Sequence, residues 1–399
     1  MSKKDLTKDC LLAKKRSNST PQASLQCSNS GVSLSGDMSE MVDKPKYHKP
    51  ALSLRELAEL IIRRGIQDVS VGELEQRLRF VNYYRLRGYT YPYQDNAQED
   101  AHFKPGTKWQ DIWDDYWFDQ DLRMLMFDGI SRYEIAFRSV VALNLCEQYG
   151  AQWYENEDLF ESVEFCKNYL THTNPSEKQK KKYEKYKERY KTHLKELDDL
   201  WKRSQEEFKE HYLNHYNNSQ RPPAWMIFET ATMGIVSKFF ENVKNGCDAK
   251  KEVLKQFGFK RAQSDVFTSW NHHLNYVRNI CAHHARLFSR KFTITPTFCK
   301  DSPEIWVSEK PNKHRIYASI CILVHLLSIC SPEYPFKMKI RELLLRTSEK
   351  QREMMGVPED WMEQALFMEE EMLQLNVNPG IENEVERCYN RRGQSTNNR

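Results

Sequence analysis

The stretch from residue 276 to 288 reads Tyr-Val-Arg-Asn-Ile-Cys-Ala-His-His-Ala-Arg-Leu-Phe. On a helix from about 269 to 289, each residue turns by roughly 100°, so apolar and polar side chains separate onto opposite halves. The apolar half contains Trp270, His273, Leu274, Val277, Ile280, Cys281 and His284. The polar half contains Asn271, His272, Asn275, Arg278, Asn279, Ala282, His283 and Arg286. This pattern predicts an amphipathic helix with one face in the core.

The polar half carries amides, imidazoles and guanidinium groups but no carboxylate. The nearest acidic residues in sequence are Asp265 before it and Asp301 after it. Such a surface donates hydrogen bonds and positive charge, which suits a phosphate group. We therefore interpret this half as a candidate phosphate-binding surface.

The two adjacent histidines fall on different halves of this predicted helix. His283 lies in the polar half and is the acid/base candidate, because an unperturbed imidazole titrates near neutral pH. His284 lies in the apolar half, where a satisfied core residue is the favoured interpretation. Arg278 and His283 are about 140° apart on a continuous helix, with Asn279 and Arg286 between them. Two copies facing each other would line one cleft, so the spacing suggests a dimer.

The composition favours a helical protein. The 399 residues are 39% hydrophobic and 29% charged, with few Gly and Pro for this length. The net charge of +4 is too small to argue nucleic-acid binding by itself. The best apolar run, residues 316–330, is too short for a bilayer span and predicts a buried helix.

Cysteine usage points to a reducing compartment. The ten cysteines form no Cys-x-x-Cys pair, and no secretory n- and h-regions precede them. This predicts free thiols in the cytoplasm, without a disulfide framework or a zinc ribbon.

Composition divides the chain into segments. Residues 1–46 are predicted to be a disordered basic, Ser-rich tail, and residues 375–399 a flexible C-terminal tail. Residues 47–374 are predicted to form one helical domain, in which 155–220 is a long charged helical insertion. An apolar seam at helical spacing predicts one long helix there, as a hairpin arm or a dimer contact. The seam comprises Tyr183, Tyr186, Tyr190, Leu194, Leu197, Trp201 and Phe208.

Three charged residues stand out before the central motif. Glu134 and Arg138 are four apart on a predicted helix, which favours a surface pair over a role of Glu134 in orienting a basic group at the site. Glu229 follows an apolar run, where a carboxylate requires a cation. Arg138, Arg278 and Arg286 are its candidate partners, and a structural ion pair is favoured over a catalytic role.

The run Asn82-Tyr-Tyr-Arg-Leu-Arg-Gly-Tyr89 mixes aromatic and basic residues. Tyr84, Arg85 and Arg87 are candidates for a surface that binds single-stranded RNA. Packing of the tyrosine rings is the favoured alternative.

Arg278 to His283 fits the signature of HEPN ribonucleases, an arginine followed after a short interval by a histidine. The longer run to Leu287 resembles the bacterial abortive-infection (Abi) family with a HEPN domain. Thr232-Met-Gly234 departs from the commoner Phe-Gly of this family. Other matches are Asn82 to Tyr89, the set Asp119, Leu122 and Arg123, the set Tyr133, Glu134 and Arg138, the set Pro223, Trp225, Glu229 and Gly234, and Met355 to Trp361.

This resemblance implies an all-α, HEPN-like helical bundle with C-terminal helices. It implies a metal-independent endoribonuclease without cofactors, in which Arg278, His283 and Asn279 are catalytic. Glu229, Glu134, Arg138, His284 and Arg286 would support them. The enzyme would be a homodimeric, toxin-like antiviral defence protein that cleaves RNA in abortive infection. A small RNA or protein antitoxin would keep it silent, and no membrane would be involved.

Two alternatives belong to other classes. In the first, the same surface binds RNA without cleaving it, as the non-catalytic module of a phage-defence or toxin–antitoxin system. In the second, a metal hydrolase uses His272, His283, Cys281 or Glu229, although no carboxylate-rich cluster supports it. His211 and His215 have metal-ligand spacing but lack an obvious third ligand.

Overall fold

The computed structural model describes residues 50–95, 101–160, 176–216, 221–298 and 310–368. Across these ranges the regular elements are helices, and β-structure is restricted to isolated bridges such as Phe160 with Val243. The predicted all-α class is therefore confirmed. The predicted tails, 1–46 and 375–399, lie outside the described residues.

The chain divides into two compact units, residues 1–118 and 119–399. Among the described residues of the first unit, three α-helices end before the boundary: α1 (Leu54–Arg63), α2 (Val71–Phe80) and α3 (Tyr83–Thr90). The boundary falls within the long helix α4 (Trp109–Tyr149).

The core of the first unit combines apolar packing with buried polar contacts. α1 packs against α2. The hydroxyl of Tyr93 donates a hydrogen bond to the buried carboxylate of Asp115 over 2.9 Å. The guanidinium of Arg77 lies 4.9 Å from the ring centre of Trp113.

The second unit contains the rest of α4 and the remaining helices. In chain order they are α5 (Glu177–Arg203), α6 (Glu207–His215), α7 (Ala224–Ile227), α8 (Met233–Asn242), α9 (Asp248–Gln256), α10 (Ser264–Ala282), α11 (Ile316–Cys330), α12 (Phe336–Leu345) and α13 (Glu349–Met355).

Two apolar elements form the centre of the second unit. α11 is buried from Ile316 to Leu327, as the sequence predicted for this run. Burial lowers the pKa of His325 in this helix to about 4, so its imidazole is neutral at physiological pH. On α4, the rings of Tyr133 and Phe137 both contact Phe257 beyond the end of α9. The site-bearing helix α10 packs against both α8 and α11.

The insertion was predicted to form one long helix, but its described residues contain two α-helices, α5 and α6. The chain breaks between α5 and α6, where the side chain of Ser204 accepts the amide of Glu206. Tyr190, Leu197 and Trp201 are buried. This part of the seam packs within its own chain, because Tyr190 donates its hydroxyl to the backbone of Tyr154. It is therefore not available as a projecting arm or a dimer contact.

We expect Gly129→Val to lower the free energy of unfolding by about 1–3 kcal/mol, because the added side chain overfills a packed contact. A Cβ at Gly129 would lie 2.8 Å from both Leu323 and Phe336. Gly246→Val is the matched control, since a Cβ there meets nothing within 4 Å. Chemical denaturation of both variants measures the difference. Equal stabilities would contradict this packing of α4 on α11 and α12.

Candidate functional site

Helix α10 begins at Ser264 and ends at Ala282, earlier at both ends than the predicted 269–289. Its apolar half is buried as the pattern indicated. Asn271 is an exception to the predicted pattern, because the sequence placed it in the polar half and the structure buries it fully. Its amide oxygen accepts the hydroxyl hydrogen of Tyr133 over 2.8 Å, and its nitrogen donates to the carbonyl of Phe267. Both polar ends are thus satisfied inside the core.

The helix ends in a left-handed turn. His283 is the C-cap, and His284 has a φ of 54°. The amide of His284 donates to the carbonyl of Cys281, and that of Ala285 donates to Ile280, each over 3.0 Å. These two bonds are the Schellman motif, in which glycine usually occupies the left-handed position. Histidine there carries a conformational cost, so an outside contact must hold the turn.

This turn changes the places of two candidate residues. His284 was predicted to be in the core, but its side chain is exposed because the chain has already left the helix. Arg286 was predicted to lie on the helix between Arg278 and His283. Instead its guanidinium donates to the hydroxyl of Ser289 over 2.6 Å, within the segment that follows.

The outside contact is the buried carboxylate of Asp119 on α4. It accepts the backbone amides of Leu287, over 3.0 Å, and Phe288. The same carboxylate pairs with Arg123, and these two side chains are 0% and 7% exposed. A buried carboxylate with this many donors is well stabilised in its charged form. Asp119 therefore fixes the segment directly after the motif.

The segment at 292–298 continues along α10 without regular structure. The indole of Trp270 donates to the carbonyl of Thr297 over 2.9 Å. One ring nitrogen of His273 contacts a carbonyl of this segment, and the other contacts the hydroxyl of Ser319. Burial lowers the pKa of His273 to about 4, so this histidine is neutral and structural.

Arg278 lies on the partly exposed side of α10. Its Nε is 3.6 Å from the carboxylate of Glu134, and its guanidinium lies 5.7 Å from the ring centre of Phe127. Its Nη1 is 3.5 Å from the amide oxygen of Asn279, at the limit of a hydrogen bond. Within the described ranges, no acceptor hydrogen-bonds Nη2. The side chain is thus oriented by α4 while part of its donor fork stays open.

Glu134 is the centre of the charge network around Arg278. Its Oε1 accepts the amide of Met233 over 2.9 Å and Nη2 of Arg138 over 3.3 Å. The side chains of Glu134 and Arg138 are only 10% and 13% exposed. The prediction of a surface ion pair, which rested on the four-residue spacing, is therefore wrong, because both side chains are mostly buried. Its position instead fits the orienting role that the sequence left open.

Glu229 completes the network at its solvent side. Of the three candidate cations, it pairs with Arg138, whose Nη1 lies 3.2 Å away. It lies in a short 3-10 turn, Phe228–Thr230, with its side chain 46% exposed. A second nitrogen of Arg138 donates to the carbonyl of Ala231 over 3.0 Å. Arg138 thus links both carboxylates to the backbone that leads into α8.

The remaining candidates lie apart from this network or beside it. His283 and Asn279 are exposed on the same helix as Arg278. Tyr84, Arg85 and Arg87 are exposed on α3 and belong to the first unit.

The candidate metal ligands do not form a cluster in the described part of the chain. His211 and His215 stack with ring centres 4.0 Å apart. The thiol of Cys281 is buried, which raises its pKa to about 12. In the part of the chain that the structure describes, no three side chains among His, Cys, Asp and Glu are placed to share a metal ion.

The sequence analysis missed two contributions to the site. Phe127 lies seven residues before Glu134 and so shares its helix face, which is the signal that could have identified it. Asp119 and Arg123 were recognised only as a family pattern. Their role in holding the turn after His284 depends on a contact across 168 residues of sequence, which no local pattern reveals.

We expect Asp119→Asn to lower the free energy of unfolding by about 3–5 kcal/mol, because it breaks a buried ion pair with Arg123 and weakens two buried amide contacts. Asp121→Asn, an exposed site on the same helix, should change stability little. Urea denaturation of both variants measures the effect. Similar midpoints for the two would show that Asp119 does not hold the turn.

Among the helices in the described ranges, none combines the length and the apolar character that crossing a bilayer requires.

Residues 76–289 match the model of one protein family, described as Abi-like protein. The match includes the Asp119 contact, the Glu134 network and the motif on α10. No curated protein and no solved structure shows significant similarity to the chain. Because the family match covers more than half of the sequence, the chain belongs to the Abi-like protein family.

Proposed function

We propose that this protein is a HEPN-type, metal-independent endoribonuclease that acts in anti-phage abortive infection. The supporting observation is the orientation of Arg278 by Glu134 and Phe127, with part of its donor fork open. Arg278 lies on the same helix as the exposed His283, about 7.5 Å away along the axis. RNA transesterification can use a cation that binds the phosphate together with an imidazole that transfers protons.

In the proposed reaction, the ribose 2′-hydroxyl attacks the adjacent phosphorus and the 5′-oxygen leaves. One imidazole removes the proton of the 2′-hydroxyl, and a second protonates the leaving oxygen. The products are a 2′,3′-cyclic phosphate and a 5′-hydroxyl. His283 is the candidate for both transfers, one in each of two copies of the chain.

Arg278 would bind the scissile phosphate and stabilise the additional negative charge of the transition state. Nε of Arg278 is buried 3.6 Å from the Glu134 carboxylate, so the outer nitrogens are the ones left to meet the substrate. Asn279 follows Arg278 directly and would orient a phosphate oxygen or the imidazole. Because the Glu134 carboxylate is also bound by Arg138 and a backbone amide, it would fix Arg278 at low entropic cost.

The two remaining motif residues would act differently. His284 has the left-handed backbone conformation of the turn, so its role would be structural and would come from the backbone. Arg286 is held by Ser289 and would add positive charge near the substrate without contacting the reacting phosphate.

The biological part of the proposal follows from the family. Abi-like membership suggests a toxin-like antiviral activity in the cytoplasm, with cellular or phage RNA as substrate. Such an activity requires silencing, and an antitoxin, either a small RNA or a protein, would supply it.

We expect wild-type protein in EDTA to cleave end-labelled RNA and leave 2′,3′-cyclic phosphates, because the proposed mechanism needs no metal. Arg278→Ala and His283→Ala should each reduce the rate by about 100-fold or more while remaining folded. Gel electrophoresis, with enzymatic analysis of the fragment ends, gives the result.

His284→Gly is the matched control, since glycine keeps the left-handed turn and should retain cleavage. If wild-type protein shifts RNA in a gel without cutting it, and Arg278→Ala weakens that binding, the non-catalytic RNA-binding alternative replaces the ribonuclease. Inhibition by EDTA would instead favour a metal hydrolase.

The proposed dimer has a candidate surface on α4. Met124 and Ile135 are 66% and 60% exposed, on the helix that also carries Phe127 and Glu134. Apolar side chains in this position would bury well against a second copy. Two copies joined here would approach each other on the α4 face beside Arg278, as the two-imidazole mechanism requires.

We expect size-exclusion chromatography with light scattering to give a dimer, and Ile135→Glu to give a monomer that no longer cleaves RNA. Met338→Glu is the control, because Met338 is equally exposed on a different helix and should leave the dimer intact. A monomer that cleaves RNA at the measured concentration would exclude the composite site.

A further inference from the structure

A polar cleft of about 330 Å³ lies beside the first half of α10, away from Arg278. Its walls come from α10, from the end of α8 and from the start of α9. The lining residues are Glu241, Asn245, Lys250, Ser264, Asp265, Thr268, Ser269 and His272. A volume of this size is typical of a small-ligand site.

The cleft is continuous with the candidate catalytic face of α10. Asp265, His272 and Asn279 are spaced by seven residues, so they lie nearly in line along the helix. All three are exposed. Successive members are about 10 Å apart along the axis. A strand bound at Asn279 and His283 that followed this face would therefore reach the cleft.

The chemistry of the cleft differs from that of the motif. Glu241 and Asp265 bring two carboxylates, which repel a phosphate and accept hydrogen bonds from N–H groups. The ammonium of Lys250 is buried and donates to the carbonyls of Glu241 and Val243, over 3.1 and 2.6 Å. That cation therefore holds the wall of the cleft. The other lining groups include the two carboxylate acceptors and the imidazole of His272.

We propose that this cleft binds a guanine base of the RNA substrate, on the same strand as the phosphate that Arg278 holds. The Watson–Crick edge of guanine presents two adjacent N–H donors, which match one carboxylate. An exposed imidazole such as that of His272 gives a base a surface for stacking. The phosphates would remain outside, on the guanidinium side of α10. This inference rests on the proposed function, because it makes the cleft a specificity subsite for the same RNA strand.

The test uses the full chain and oligouridine substrates that contain a single guanosine, adenosine or cytidine. We expect cleavage of the guanosine-containing substrate to exceed cleavage of oligouridine by about 10-fold, the discrimination that one base contact provides. Glu241→Gln and Asp265→Asn should bring that ratio towards one. Glu252→Gln, on α9 but outside the cleft lining, should leave the ratio unchanged. Inosine, which lacks the second donor, should lose part of the preference.

The outcomes separate this inference from the proposed function. Cleavage with no base preference, or with a preference that both variants keep, overturns the subsite and leaves the ribonuclease standing. If wild-type protein cleaves nothing, anisotropy with fluorescent oligonucleotides and His283→Ala protein decides. Tighter binding of guanosine oligomers that depends on Glu241 then supports the cleft, and equal binding overturns it. If the cleft binds an arginine-rich peptide and not guanosine oligomers, and both carboxylate variants lose that binding, the guanine subsite is overturned and a protein partner replaces it.

Discussion

The shape of the candidate site depends on one buried contact, in which the carboxylate of Asp119 accepts the backbone amides of Leu287 and Phe288. This contact holds the chain where it leaves α10. There His284 has a left-handed backbone conformation, which residues other than glycine rarely adopt. Arg123 balances the buried charge. Since removing one member of such a set leaves an uncompensated charge in the core, the turn and the helix α4 are energetically coupled.

α4 contributes to the site a second time through Glu134. Asp119 binds the backbone directly after the motif helix. Glu134 lies against the Arg278 side chain and sets the direction in which it projects from that helix. Both carboxylates are buried, and each is bound by a guanidinium and by at least one backbone amide. One helix thus sets both the position of the exposed His283 and the orientation of the cation. Pre-organisation of this kind is what phosphate chemistry requires.

The helix α10 separates structural and surface histidines by burial. His273 is buried, neutral and bonded at both ring nitrogens, whereas His272 and His283 are exposed. The exposed face also joins two regions of opposite character, a cationic end at Arg278 and a carboxylate-lined cleft near Asp265. An RNA strand offers both matching partners, phosphates for the first and base N–H groups for the second. The two proposals therefore describe one continuous surface.

The sequence by itself determined the helical class, the buried helix at Ile316–Cys330 and the family, because these follow from local periodicity and motif spacing. It also singled out Arg278 and His283 by residue type. It could not determine that α10 ends at Ala282, because the apolar pattern continues through Leu287 and no glycine marks the turn. Only the tertiary structure decided this, since the amides of Leu287 and Phe288 directly after the turn are bound by Asp119, which is remote in sequence and adjacent in space.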